Sequence, residues 1–151
     1  MSKEPQLVLD SIYAFPPNRY TLGGTAYLIV KNQGNILIDC PKWDESTAAF
    51  IHHLGGISHL ILTHRGGLSE QFSKIQSALG CTAIVQEQEA YRVARETPME
   101  TFHAEKTWPN GDRLIWTPGH SPGSSCFYEA SHGVLFTGRH LLPDPEGLPR
   151  P

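Results

Sequence analysis

Ile61-Leu62-Thr63-His64-Arg65-Gly66-Gly67-Leu68-Ser69-Glu70 is the stretch on which the fold is decided. The residues before it, Ser58-His59-Leu60-Ile61-Leu62-Thr63, form a short leucine- and isoleucine-rich run of the kind that makes a buried strand. The run stops at a histidine and two adjacent glycines. Ser69 can then cap a helix to about Leu79, in which Phe72, Ile75, Gln76 and Leu79 recur near helical spacing. The order is therefore strand, loop, helix, with one imidazole at the point where the strand ends.

Working outward, Leu7 to Phe15 has a strand-like apolar pattern, closed by the turn residues Pro16-Pro17-Asn18-Arg19. Thr25 to Lys31 and Ile36 to Asp39 read as two strands of a hairpin joined by Asn32-Gln33-Gly34-Asn35. Asp44 or Ser46 can cap a helix to about Leu54, with Ala48, Ala49, Ile51 and His52 toward a sheet and Gly55-Gly56 ending it. Downstream, Thr82 to Val85 reads as another buried strand. Gln86 to Arg95 reads as a polar helix that stops before Pro98. The second half turns to hairpins: a strand from Arg113 to Thr117, a Pro- and Gly-rich loop from Pro118 to Ser124, and strands Ser125–Glu129 and Gly133–Thr137 across Ala130-Ser131-His132. Helices alternate with strands early and hairpins dominate late, so the class is α+β with a mixed sheet in layers. No GxGxxG follows the first strand, which excludes a Rossmann unit. Residues 143–151 are rich in proline, unfit for a helix or a central strand, and read as a tail or a cut edge.

The 151 residues fit one domain, 1–151, with 39% hydrophobic and 18% charged content, as in a globular chain. A net charge of −3 gives no support for a nucleic-acid partner. No stretch reaches the ~20 apolar residues of a membrane helix, and the start has no continuous apolar run of a signal peptide. A cytoplasmic location is the expectation. Cys40, Cys81 and Cys126 lie in or beside apolar segments without a CxxC pair, and read as reduced, buried thiols. Trp43, Trp108 and Trp116 read as core or loop anchors.

Four stretches together resemble the metallo-β-lactamase superfamily, with loops nearest to its glyoxalase II-like branch. Thr25–Leu28 followed by Ile36-Leu37-Ile38-Asp39-Cys40-Pro41 is similar to its opening hairpin. Ile61-Leu62-Thr63-His64 resembles the strand that delivers its first metal ligand. Thr117-Pro118-Gly119-His120-Ser121-Pro122-Gly123-Ser124 resembles its Thr-Pro-Gly-His-Thr-Pro-Gly-Ser loop. Leu135-Phe136-Thr137-Gly138-Arg139 resembles its Leu-Phe-Thr-Gly-Asp. The match spans about residues 20–142. It implies an αβ/βα sandwich whose C-terminal part is shortened or truncated here.

The same resemblance implies that the metal site is degenerate. Where the family pattern is Thr-His-x-His-x-Asp-His, only His64 remains; Gly66, Leu68 and Ser69 stand at the other three positions. His120 matches a further ligand of the first metal, and Arg139 replaces the bridging aspartate with a positive, donor-only group. Zinc sites use four positions, or three protein ligands and a water, so His64 and His120 alone make a weak site. Neither a two-metal centre nor any other cofactor is expected. Zinc held by His64 and His120 with His59, His140 or Asp39 as a rescue ligand is the alternative. Without metal the family's hydrolysis has no Lewis acid and no activated water. His64 and His120 stay candidates as bases. Arg65 and Arg139 are candidates for an anion pocket, with structural ion pairs or solvent-facing guanidiniums as the plainer reading. Ser69, Ser121 and Cys40 are possible nucleophiles, but loop serines more often form turns, and Cys40 reads as packing under the site.

The expected function is a non-hydrolytic binding or assembly module, assembled as a homodimer or with a protein partner that covers the incomplete second half. The alternative is a metal-dependent hydrolase of a thioester, lactone or phosphodiester with a rearranged mononuclear site. A third reading is that the segment belongs to a longer chain whose other part carries the function.

Overall fold

The computed structural model describes residues 4–17, 25–64, 70–90, 99–119, 121–138, 142–143 and 149–150. Its first strands are β1 (Gln6–Leu9), β2 (Ile12–Ala14), β3 (Tyr27–Ile29) and β4 (Ile36–Ile38). The segment 7–15 is thus two strands, with a turn at Asp10, whose φ of 39° is left-handed. Then come α1 (Glu45–His53), β5 (His59–Ile61), α2 (Glu70–Leu79), β6 (Thr82–Gln86), α3 (Glu87–Ala90) and β7 (Met99–Phe102). β1 to β4 pair antiparallel, β4 to β7 pair parallel, and all seven lie side by side in chain order. A second, antiparallel sheet has the order β11 (Val134–Phe136), β10 (Ser125–Glu129), β9 (Arg113–Trp116), β8 (Glu105–Thr107). Finally, among the described residues, β12 (Leu142–Pro143) and β13 (Pro149–Arg150) form a separate two-stranded sheet.

Period-two alternation splits the first sheet's side chains cleanly between two cores. Leu28, Leu37, Leu60, Leu62, Ala83 and Val85 pack with Ile51, Phe72 and Ile75 of the helices. Ile29, Ile36, Ile38, Ile61 and Ile84 face the other way, onto Leu114, Phe127 and Phe136 of the second sheet. Both faces are covered, which is why Ile36-Leu37-Ile38 and Leu60-Ile61-Leu62 read as continuous apolar runs. Phe127 is fully buried, with its ring edge-to-face against Trp108 at 5.7 Å between centroids. Phe127→Ala would empty the centre of this layer, at a cost of about 3–5 kcal/mol. The described helices pack on the first sheet's outer face. On the second sheet's outer face Leu135 is half exposed.

Local signals fix α1. The Asp44 carboxylate accepts from Thr47 N at 2.8 Å, and Gly55 N and Gly56 N return to His52 O and Ile51 O. These are an N-cap and a Schellman C-cap, which satisfy helix-end groups that would otherwise be orphaned. The buried face differs from the one read from sequence. Ile51 is buried and Phe50 and Leu54 pack on the core, while Ala49 and His52 are exposed. The bulkier apolar side chains win the core face and turn the histidine into water. The α2 face is as expected, with Phe72, Ile75 and Gln76 buried and Leu79 against the core. Residues 99–102 and 105–107 form β7 and β8, although charged residues break any apolar alternation there. Their pairing with β6 and β9 carries them instead.

Candidate functional site

Parallel pairing sends the carboxyl ends of β4, β5 and β6 to one edge of the first sheet. Asp39, Thr63, His64 and the start of α3 sit there because they directly follow those strands. β9 ends and β10 begins beside them: Ser125 N donates to Thr63 O at 2.7 Å. This edge is the candidate site.

Asp39 is its anchor. It is 5% exposed and holds a left-handed φ of 61°, a conformation that a short carboxylate tolerates better than most side chains. Its Oδ1 accepts from Thr63 N at 2.8 Å and its Oδ2 from Thr63 Oγ1 at 2.6 Å. Thr63 in turn requires glycine at position 138. A Cβ there would lie 2.7 Å from Thr63 Cβ, and the Gly138 φ of 55° is left-handed as well. One carboxylate therefore joins the ends of β4 and β5, and the turn after β11 packs close against the Thr63 side chain it holds. His64 is buried beside it, with Nε2 3.8 Å from Asp39 Oδ2, beyond direct hydrogen-bond reach.

A second buried carboxylate shapes the loop after β9. Glu89 is fully buried; its Oε1 accepts from Ser121 Oγ and, at 3.0 Å, from Gly123 N. A Cβ on Gly123 would stand 3.0 Å from both Glu89 Cδ and Gln86 Oε1, so α3 and the loop touch only because that residue is glycine. Ser121 and Ser124 close the turn on themselves: Ser121 N donates to Ser124 Oγ at 3.0 Å and Ser124 N to Ser121 O at 3.2 Å. Trp116 Nε1 donates to Pro122 O at 2.7 Å. These serines form the turn, as read from sequence. At the rim, His103 follows β7 and meets Glu87 at 2.6 Å, its ring 5.4 Å from that of Trp116.

Cys40 is 1% exposed; burial first, then the neighbouring Asp39 charge, pushes its thiol well above the ordinary range. It is packing and not an activated nucleophile. Cys81 and Cys126 are also buried free thiols, both raised by burial.

Asp39 and His64 are the two sequence candidates that the described structure brings together. His59 is not brought to them. It opens β5, level with Ile36 and Thr82, so the length of the strand separates it from His64; its Nδ1 meets Ser58 Oγ at 3.0 Å. Arg65, Gly66, Leu68, Ser69, His120, Arg139 and His140 lie outside the described residues. Glu89 and Gln86 are missing from the sequence candidates. A glutamate inside Gln86-Glu87-Gln88-Glu89 looks like a solvated helix face, and nothing local marks the loop 32 residues away that buries it.

The described donors do not fit a two-metal centre. No group of three or more His, Cys, Asp or Glu side chains among the described residues could hold a metal ion. Each oxygen of Asp39 accepts one hydrogen bond from Thr63.

No family model and no curated protein matches the sequence. Solved structures do. A Cronobacter sakazakii metallo-β-lactamase mutated in its HARLDQ motif is 21% identical, with a TM-score of 0.63 over 87% of this chain and 62% of its own. The DIM-1 metallo-β-lactamase is 13% identical, with a TM-score of 0.72 over 91% of this chain and 70% of its own. The chemotaxis sensor ODP, solved with a peroxy diiron species, is 15% identical, with a TM-score of 0.67 over 88% and 61%. The chain thus spans about 60–70% of the length of these structures. At such identities the likeness shows the fold alone.

Proposed function

We propose that this chain, which has the metallo-β-lactamase fold, is a non-hydrolytic binding module built on a site that has kept its frame and lost most of its ligands. The observation that carries this reading is the contrast between frame and donors. The Asp39–Thr63–Gly138 lock and the Glu89–Ser121–Gly123 lock hold the strand-end loops in place through main-chain and hydroxyl groups. The ligand positions named by the resemblance carry Gly66, Leu68, Ser69 and Arg139. One lost ligand can be replaced by a neighbour; four at separate positions leave too few donors for tetrahedral zinc. Use of this fold for sensing has a parallel in the structural neighbour ODP, described as a chemotaxis sensor. Arg65 and Arg139 make small carboxylates and phosphates the ligands to test first.

A second copy of the chain is the proposed partner, seated on the outer face of the second sheet, where Leu135 stands opposite the half-buried Tyr128 and Ile115 lies further across on β9. No described helix is long and apolar enough to cross a membrane. The proposed location is the cytoplasm.

The test is metal content per chain after growth with zinc, iron and manganese, together with turnover of thioester, lactone and phosphodiester substrates. Near-zero metal and no turnover are expected. About one tightly held metal per chain, with hydrolysis lost in His64→Ala, would overturn the proposal in favour of a mononuclear hydrolase using His64, His120 and Asp39.

A further inference from the structure

We infer that His132 is a proton-operated latch between the first hairpin and the second sheet, closed when its ring carries both protons. His132 lies in the turn between β10 and β11, at the edge of the sandwich away from the candidate site. Its backbone N–H donates to Glu129 Oε2 at 2.9 Å, and its ring Nδ1 lies 2.9 Å from the same oxygen. On the other side of the ring, Nε2 stands 3.3 Å from Asp10 Oδ2, in the turn between β1 and β2. The imidazole is thus flanked by a carboxylate oxygen at each nitrogen.

A neutral imidazole has one N–H and one lone pair, so it can serve only one of the two carboxylates. The imidazolium serves both. Which contact yields on losing a proton follows from the surroundings. Glu129 is fully buried, and Lys31 Nζ meets its other oxygen at 3.0 Å while also meeting Asp112 Oδ2 at 3.0 Å. With the proton on Nε2 instead, the Nδ1 lone pair would face this buried oxygen, which would keep only the His132 main-chain N–H, and that is costly. The Asp10 side chain is 73% exposed and has water to turn to. The remaining proton therefore stays on Nδ1, Nε2 presents a lone pair to Asp10, and the Asp10 contact opens. Among the described residues, the charged groups of this cluster are Asp10, Glu129, Lys31 and Asp112, from four different segments.

Asp10 is placed to transmit that change. It is left-handed, at φ 39°, next to the irregular register between Leu7 and Leu9. The next residue, Ser11, accepts through its carbonyl from Val30 N at 2.9 Å, which ties the hairpin turn to the end of β3. β1 is the outermost strand of the seven-stranded sheet, and all four of its residues are exposed. Opening the latch loosens this turn and lets β1 leave the edge of β2 more often.

Amide exchange in the full chain, read by NMR as protection factors corrected for intrinsic rates, tests the latch. Protection of the Val30 amide and of the β1–β2 amides is expected to fall about two- to fivefold as the pH is raised until the ring loses its second proton, the range for an exposed ion pair. The β5 and β6 amides should not follow. Asp10→Asn, which keeps a side chain tolerant of the left-handed turn, should remove the pH response. His132→Gln should leave protection independent of pH. Unchanged protection while the His132 ring visibly titrates, or the same response in Asp10→Asn, would overturn the inference.

Discussion

At the edge where β4, β5 and β6 end, Asp39 and Glu89 accept from main-chain N–H and hydroxyl groups: the N–H and hydroxyl of Thr63, the hydroxyl of Ser121 and the N–H of Gly123. At the opposite edge Asp112 and Glu129 share the ammonium of Lys31. Carboxylates of similar burial thus do two jobs. Main-chain donors are fixed in direction, so the first arrangement sets the shape of loops. An ammonium on a long stem is a point charge, so the second ties one sheet to the other with less demand on angle.

The largest effect should come from the ionic edge. Lys31→Met leaves Asp112 and Glu129 buried, like-charged and without their shared cation. A loss of about 3–5 kcal/mol is expected in urea unfolding. A cost under ~1 kcal/mol would mean that the clamp adds little beyond the hydrogen bonds from Asn110, Ala130 and His132, and the contrast between the edges would collapse. Asp39→Ala should follow, at about 3 kcal/mol, because it strands the buried N–H and hydroxyl of Thr63. Its signature should be local as well: loss of amide protection at Thr63, with the far edge unmoved. If Asp39→Ala proves the costlier change, loop locking and not sheet clamping dominates the stability of the sandwich.

The positions of Asp39 and His64 were legible in the sequence, because they follow strands with strong apolar patterns; the hold of Asp39 on Thr63 was not, since Asp39 read only as a rescue ligand or ion-pair partner. Asp39 and His64 each come one or two residues after a run that buries both its faces, and the Thr117–Ser124 stretch carries its own turn residues. The caps of α1 were legible for the same reason, as Asp44 and Gly55-Gly56 act on adjacent residues. What escaped depends on contacts between distant segments. Lys31 reaches Asp112 across 81 residues, and Glu89 meets Ser121 across 32. Such partners leave no local period, and their charges look like ordinary solvated surface. Asn35 escaped likewise. In a hairpin it reads as a turn residue, yet its side chain also donates to Leu54 O and Gly56 O at the end of α1. β7 and β8 have too few apolar positions to show an alternation; their neighbours decide them.

The smallest of the expected effects separates the edges by pH. Burial alone would raise the Glu129 carboxyl, but hydrogen bonds from Lys31 and His132 outweigh it and bring it down from 4.5 to about 2. A carboxyl held lower in the folded chain than in the unfolded one stabilises the fold fully above its unfolded value. That contribution is lost as the pH falls from about 4.5 toward 2. Full conversion of the shift gives about 3 kcal/mol, and solvent around the partly exposed Lys31 and His132 reduces this to about 2. Urea unfolding of the wild-type chain should therefore lose about 2 kcal/mol in that window through this one group. Glu129→Gln cannot titrate, so its slope should be shallower by that amount, whatever its stability at neutral pH. Asp39→Asn keeps a short polar group on Thr63 and should retain the Glu129 part of the slope. Equal flattening in both variants would place the acid sensitivity in the chain as a whole and not in the ionic edge.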